Sequence, residues 1–132
     1  MPGLDVHLVT PEREVWAGQA DFVLARSVEG DLGILPGHTP TLAALDVGAV
    51  YIEAGAERIA IAVDGGFLAI GELGEETRVD ILAEFAVLQG EMDREDPAAS
   101  DRRAAELRGE GRFAEAREED AKAATRRRLG AT

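Results

Sequence analysis

The 132-residue chain contains no cysteine. That removes disulfide scaffolds, thiolate metal sites and cysteine nucleophiles together. Its two histidines, His7 and His38, are too few for a histidine-based zinc site without carboxylate help. Lys122 is the single lysine, and its place in a charged stretch near the end gives a phosphate-loop or Schiff-base lysine no home. Ser27 and Ser100 are the two serines, neither inside a G-x-S-x-G elbow. G-x-x-x-x-G-K and G-x-G-x-x-G are also missing. Basic charge is scarce: the formal net charge is −12, which argues against a nucleic-acid partner, since phosphate neutralisation needs clustered Lys and Arg. No apolar run approaches the roughly 18 residues of a membrane span. Met1-Pro2-Gly3-Leu4-Asp5 has neither the basic start nor the apolar stretch of a secretory signal. The expectation is a soluble, intracellular chain with no catalytic residues, metal or cofactor of its own.

What is present is unevenly distributed. Hydrophobic residues make up 45% and charged residues 30%, enough for a packed core. Residues 1–90 hold 15 acids and four bases, whereas residues 91–132 hold 11 acids and ten bases. Twelve of the 15 glycines lie at or before Gly90. This break divides the chain into a front unit, 1–90, and a tail, 91–132.

The front unit reads as β throughout. Large and small residues alternate in Arg58-Ile59-Ala60-Ile61-Ala62-Val63, and apolar with polar ones in Asp5-Val6-His7-Leu8 and Arg78-Val79-Asp80-Ile81. Turn signals such as Thr10-Pro11, Glu29-Gly30, Pro36-Gly37, Ala54-Gly55, Asp64-Gly65-Gly66 and Leu73-Gly74 recur at the roughly 8–12-residue spacing of an all-β sandwich or barrel. The tail reads as two helices. Asp96-Pro97 supplies an N-cap and a first helical residue. Helix formers run from Pro97 to Arg108, Gly109-Glu110-Gly111 breaks them, and a second helix runs from about Arg112 to Leu129. So short a break predicts an antiparallel hairpin. Alanine-rich faces bury little area, which predicts a weakly anchored hairpin. The fold class expected is α+β.

One segment is more specific: Glu29-Gly30-Asp31-Leu32-Gly33-Ile34-Leu35-Pro36-Gly37-His38-Thr39-Pro40. With Val9-Thr10-Pro11-Glu12-Arg13, Val15-Trp16-Ala17-Gly18, Ala20-Asp21, Asp64-Gly65-Gly66-Phe67-Leu68 and Val79-Asp80-Ile81-Leu82-Ala83, it closely resembles the epsilon subunit family of bacterial F-type ATP synthases, equivalent to delta in mitochondria. The resemblance implies a ten-stranded β-sandwich followed by a two-helix hairpin. It further implies a non-catalytic central-stalk subunit that binds the gamma subunit and the ring of c subunits and turns with the rotor. Such a chain is peripheral, on the cytoplasmic face of the bacterial plasma membrane, and meets the membrane only through the complex. In relatives the hairpin folded down permits turnover, and extended along gamma it inhibits ATP hydrolysis.

Carried over by position, Glu29, Gly30 and Asp31 match the turn that approaches the c ring, and His38 and Thr39 the next corner of that interface. Arg126, Arg127 and Arg128 resemble a basic helix that meets the catalytic beta subunit when the hairpin is extended. Three terminal arginines also complement a helix C-terminus without any partner. Several relatives bind ATP through [IL]-D-x-x-R-A at the start of the first helix. This chain keeps Asp93 but has Asp96 and Pro97 in place of the arginine and alanine. The reversed charge predicts little or no ATP binding. A free-standing acidic β-sandwich adaptor sharing the fold is the competing reading.

Overall fold

In a computed structural model, described over residues 3–92 and 97–130 (without the side chains of 128–130), ten strands precede two helices. The strands are β1 (Leu4–Val9), β2 (Glu14–Ala20), β3 (Phe22–Ser27), β4 (Gly30–Ile34), β5 (Thr41–Leu45), β6 (Gly48–Ala54), β7 (Glu57–Val63), β8 (Gly66–Leu73), β9 (Glu76–Leu82) and β10 (Ala86–Leu88). A single 3-10 turn, Gln89–Glu91, follows, then α1 (Pro97–Gly109) and α2 (Phe113–Gly130). The expected α+β class, sandwich and helical hairpin are all observed. Pro97 opens the first helix, as its fixed φ and missing N–H favour.

The strands follow the order β10-β7-β6-β3-β5-β8-β9-β1-β2, with β4 added to β3. Among the described strands β1 and β9 alone run parallel. β3 meets β5 through one residue pair, Ser27 and Leu45, and there the sheet turns a corner and splits into two layers. Alternate residues of both layers fill the space between them: Leu4, Val6 and Leu8 from β1, Val50 and Ile52 from β6, Ile61 and Val63 from β7, Leu68 from β8, and Val79 and Ile81 from β9.

β6 and β7 are buried on both faces. Ile61 and Val63 point inward, yet Tyr51, Ala60 and Ala62 on the outward register are also at most 4% exposed, because α2 lies across β6 and β7. The alternation of large with small in β7 therefore has a cause. Aliphatics fill the core, and alanines let a helix approach the other side closely. α2 answers with small residues, burying Ala121 and Thr125 and setting Ala124 against Tyr51. The two helices are held to each other by charge, through Arg103–Glu119 at 3.0 Å and Arg108–Asp120 at 2.7 Å.

Candidate partner-docking surfaces

The acidic turn is the tip of the β3–β4 hairpin. Ser27 pairs with Gly30, and the Ser27 hydroxyl donates to the Gly30 carbonyl (2.7 Å) while accepting from the Glu29 N–H (3.2 Å). Gly30 has φ +129, a value other residues resist. Glu29, Gly30 and Asp31 are exposed, and Val28 beside them is 63% exposed. The tip is thus a hydrogen-bonded turn displaying two carboxylates and one apolar side chain.

His38 and Thr39 lie past the other end of β4. The Gly37 N–H donates to the Thr77 hydroxyl (2.7 Å) and the His38 N–H to the Leu35 carbonyl (3.1 Å). The His38 ring donates from Nδ1 to the Thr39 carbonyl (2.8 Å), which also accepts from the Thr41 hydroxyl (2.7 Å). This is a loop histidine held by local hydrogen bonds. Leu32, Gly33 and Ile34 of the strand, at ~3.4 Å each, and the Leu35-Pro36-Gly37 turn separate it from the acidic tip, so the structure splits the five candidate positions into two corners. A partner touching both has to span β4. The other histidine, His7, is half-buried on β1, its ring nitrogens 3.0 Å from Asp5 and 3.1 Å from Glu14.

Between those corners lies a surface that no sequence motif marks. Leu42 on β5, Phe67 on β8 and Leu82 on β9 are 75%, 57% and 52% exposed. They share the outer face, since Ala44 pairs with Phe67, Phe67 with Leu82, and Leu42 with Ala69. A shallow groove runs beside Phe67, lined by Val9, Thr10, Pro11 and Leu82. At its edge Gly66 has φ +118, and a Cβ there would run into the Leu82 carbonyl. Glycine is what lets β8 lie this close to β9 and present Phe67 outward. Three large apolar side chains on one open sheet face are the usual mark of a protein contact. The available signal was Phe67 and Leu82 at positions whose strand neighbours, Leu68 and Ile81, point inward.

The basic tail residues are already engaged. Arg126 donates to the buried Ser100 hydroxyl (2.8 Å), and Arg127 is paired with Asp101, which holds the Asp101 carboxyl below its ordinary value. The side chain of Arg128 lies outside the described residues, as do Asp93 and Asp96. A polar cleft opens where α1 and α2 meet the end of the sandwich, lined by Phe85, Glu91, Arg103, Glu119, Lys122 and Arg126 among others. Lys122 Nζ stands 5.9 Å above the Phe85 ring. Burial pushes the Glu119 carboxyl up, but Arg103 and Lys122 outweigh it and hold the group below its ordinary value. Glu118 goes the other way: burial raises it, Lys122 partly offsets that, and Asp64, Glu115 and Glu119 add to the rise. Among the described residues no cluster of His, Asp and Glu is arranged to hold a metal ion, and no helix is long and apolar enough to cross a membrane.

Residues 3–89 match the ATP synthase delta/epsilon chain beta-sandwich domain family. The ATP synthase epsilon chain of Thermobifida fusca is 50% identical over 95 residues, 70% of this chain and 67% of that one. The epsilon chain of a Mycobacterium strain is 42% identical over 124 residues, covering 86% of this chain and 99% of its own. Among solved structures, a chain of the Euglena gracilis mitochondrial ATP synthase, an OSCP/F1/c-ring assembly, superimposes with a TM-score of 0.72 at 25% identity, covering 94% of this chain and 82% of that one. By the match of residues 3–89 and by these relatives, the chain belongs to the delta/epsilon family of ATP synthase subunits.

Proposed function

We infer that this chain is an epsilon-type rotor subunit of an F-type ATP synthase, coupling rotation of the c ring to ATP synthesis through gamma without making bonds itself. The observation that supports the inference is the open apolar face of β5, β8 and β9 beside an acidic tip. Leu42, Phe67 and Leu82 form the seat for gamma, whose contact would remove them from water. Glu29 and Asp31 face the c ring, where carboxylates meeting basic loops give register and steering more than affinity. Residues 1–90 form the rotor-binding unit and the helical tail the regulatory one. As a peripheral subunit on the cytoplasmic face, the chain meets the membrane only through its partners.

The inhibitory role of the tail belongs to the same reading. In the conformation described, the hairpin rests on the sandwich with Arg126 and Arg127 bound to Ser100 and Asp101. Contact with the beta subunit requires those bonds to break, so this is the permissive position.

Size exclusion with gamma from the same source tests the central claim. The wild-type chain, and a chain ending at Gly90, should co-elute with gamma as a defined complex, and Phe67→Asp should elute separately while keeping its β circular dichroism. Separate elution of the wild-type chain would leave the free-standing adaptor as the better reading. For the second contact, replacing Glu29 and Asp31 with Lys should lower proton pumping in reconstituted membranes while gamma binding persists.

A further inference from the structure

The structure contains a fastening between its first turn and the turn after its last strand that the rotor role does not call for. Arg13 lies in the β1–β2 turn, which is closed by the Thr10 N–H donating to the Arg13 carbonyl (2.9 Å). Its guanidinium reaches Glu91 as a fork, Nη2 to Oε1 at 2.9 Å and Nη1 to Oε2 at 3.3 Å. The same carboxylate accepts the Leu88 N–H (3.3 Å), and the Met92 N–H closes the turn on the Gln89 carbonyl (3.1 Å). Each partner answers the other electrically. The hydrogen bond with Glu91 raises Arg13, and the one with Arg13 lowers Glu91, with the Leu88 N–H adding to it.

The two side chains are 46% and 43% exposed, and an exposed pair adds little to global stability. A planar two-point fork does fix geometry. What it fixes is the last turn before the hairpin. β10 ends at Leu88, α1 starts at Pro97, and Glu91 stands between them on the rim of the cleft that α2 lines with Glu119, Lys122 and Arg126.

We propose that Arg13 and Glu91 form a clasp that sets where the sandwich ends and the connection to the hairpin begins, and by shortening that connection favours the hairpin docked on β6 and β7. This rests on the hairpin having a docked and an undocked position, as read above. With the clasp closed, the connection to Pro97 starts after Glu91; with it open, after Leu88. Closure entropy grows as the logarithm of connection length, so opening the clasp lowers the docked-to-undocked ratio about two-fold. The effect is small, but it acts on an equilibrium whose interface, Tyr51 apart, is built mostly of small side chains, where small terms matter.

The absence of cysteine makes the test clean. Ala121 is fully buried and one turn from Ala124, which lines a small cavity against Leu24, Ala25 and Tyr51. In an Ala121→Cys background, the rate of labelling by a thiol reagent reports the undocked fraction. Adding Arg13→Gln should raise that rate about two-fold, and the charge swap Arg13→Glu with Glu91→Arg should return it to the starting value. Independently of any hairpin motion, hydrogen exchange at the Leu88 and Met92 amides should quicken several-fold in Arg13→Gln and be unchanged at Ile61. Unchanged exchange at Leu88 and Met92 would overturn the clasp itself. Quickened exchange with an unchanged labelling rate would show that the clasp orders the turn but does not bias docking. Complete labelling in every variant at the rate of an exposed thiol would instead overturn the docked resting position.

Discussion

The sandwich core and the hairpin interface are built from different materials. Inside the sandwich, Leu4, Leu8, Ile34, Ile52, Ile61, Leu68 and Ile81 are fully buried, each contributing about 1.5–3 kcal/mol by removal from water. Under the hairpin the sandwich buries Tyr51, Ala60 and Ala62, and α2 buries Ala121 and Thr125. Tyr51 apart, these side chains remove far less apolar area than the aliphatics of the core, so this second interface is expected to separate before the core does. Its specificity comes from polar contacts of the two helices with each other: Arg103 with Glu119, Arg108 with Asp120, Arg126 with Ser100 and Arg127 with Asp101. The hairpin is therefore better fastened to itself than to the sandwich. That is the arrangement expected of a unit that moves as one piece.

The largest break in this comparison comes from the core. Ile61→Ala should cost the sandwich 2–5 kcal/mol, roughly the penalty of removing a buried isoleucine side chain, read as a lowered midpoint in urea. One residue away, Ala60→Leu should behave differently. The added side chain points to the outer face beneath α2, where overpacking costs about 1–3 kcal/mol, and this penalty falls on docking. The sandwich midpoint should barely change, while tryptic cleavage at the tail arginines quickens. Equal loss of sandwich stability in both variants would erase the distinction between the two interfaces.

A subtler separation uses pH. Glu118 sits on α2 with its carboxyl raised by burial, helped by Asp64 across the interface and by Glu115 and Glu119 on its own helix, against Lys122. A raised carboxyl means that the ionised form disfavours docking, so docking strengthens as pH falls through the raised value. Glu119 and Asp101 are lowered, so their contribution is present above the ordinary carboxylate range and is lost as pH falls well below it. Glu118→Gln should therefore tighten docking at neutral pH and abolish the gain on mild acidification, read from labelling at Ala121→Cys between pH 7 and 5. A profile identical to the parent would mean that Glu118 does not feel the sandwich.

These two interfaces were not equally legible in the sequence. The core was readable because period-two alternation in β1, β7 and β9 is a direct consequence of one buried face, and the glycine and proline turns fixed the strand ends. The helices were readable from Pro97 and from the Gly109-Glu110-Gly111 break. Where the hairpin rests was not read, although β7 held the clue: alanines rather than polar residues alternate with its large side chains, as a strand covered on both faces requires. The docking face was missed for a related reason. Phe67 and Leu82 count as core by composition, and only the register that pairs them on the outer face shows them as exposed. Arg126 and Arg127 were singled out for an external partner, and their bonds to Ser100 and Asp101 depend on the register in which α1 and α2 pack, which the short break that predicts an antiparallel hairpin does not set.

The smallest expected effect is that of ATP. A nucleotide that bridged the hairpin and the sandwich would turn the weak interface into a strong one, and the cleft lined by Arg103, Lys122 and Arg126 offers positive charge at that place. Those cations are occupied, however. Glu119 holds both Arg103, at 3.0 Å, and Lys122, at 3.4 Å, while Arg126 is on Ser100 at 2.8 Å. Glu91 adds a second carboxylate to the same wall. A triphosphate entering here must displace Glu119 from two partners and face Glu91 besides, and a carboxylate left in a partly buried site without its cations is costly. Titration calorimetry with ATP and magnesium should therefore give a dissociation constant weaker than ~0.1 mM, or less than ~5.5 kcal/mol of binding. Glu119→Gln, which releases Arg103 and Lys122, should bind more tightly than the parent. Tighter binding than that limit by the parent chain would mean that the hairpin is held by a ligand, and the contrast between a strong core and a weak hairpin interface would then hold only for the nucleotide-free protein.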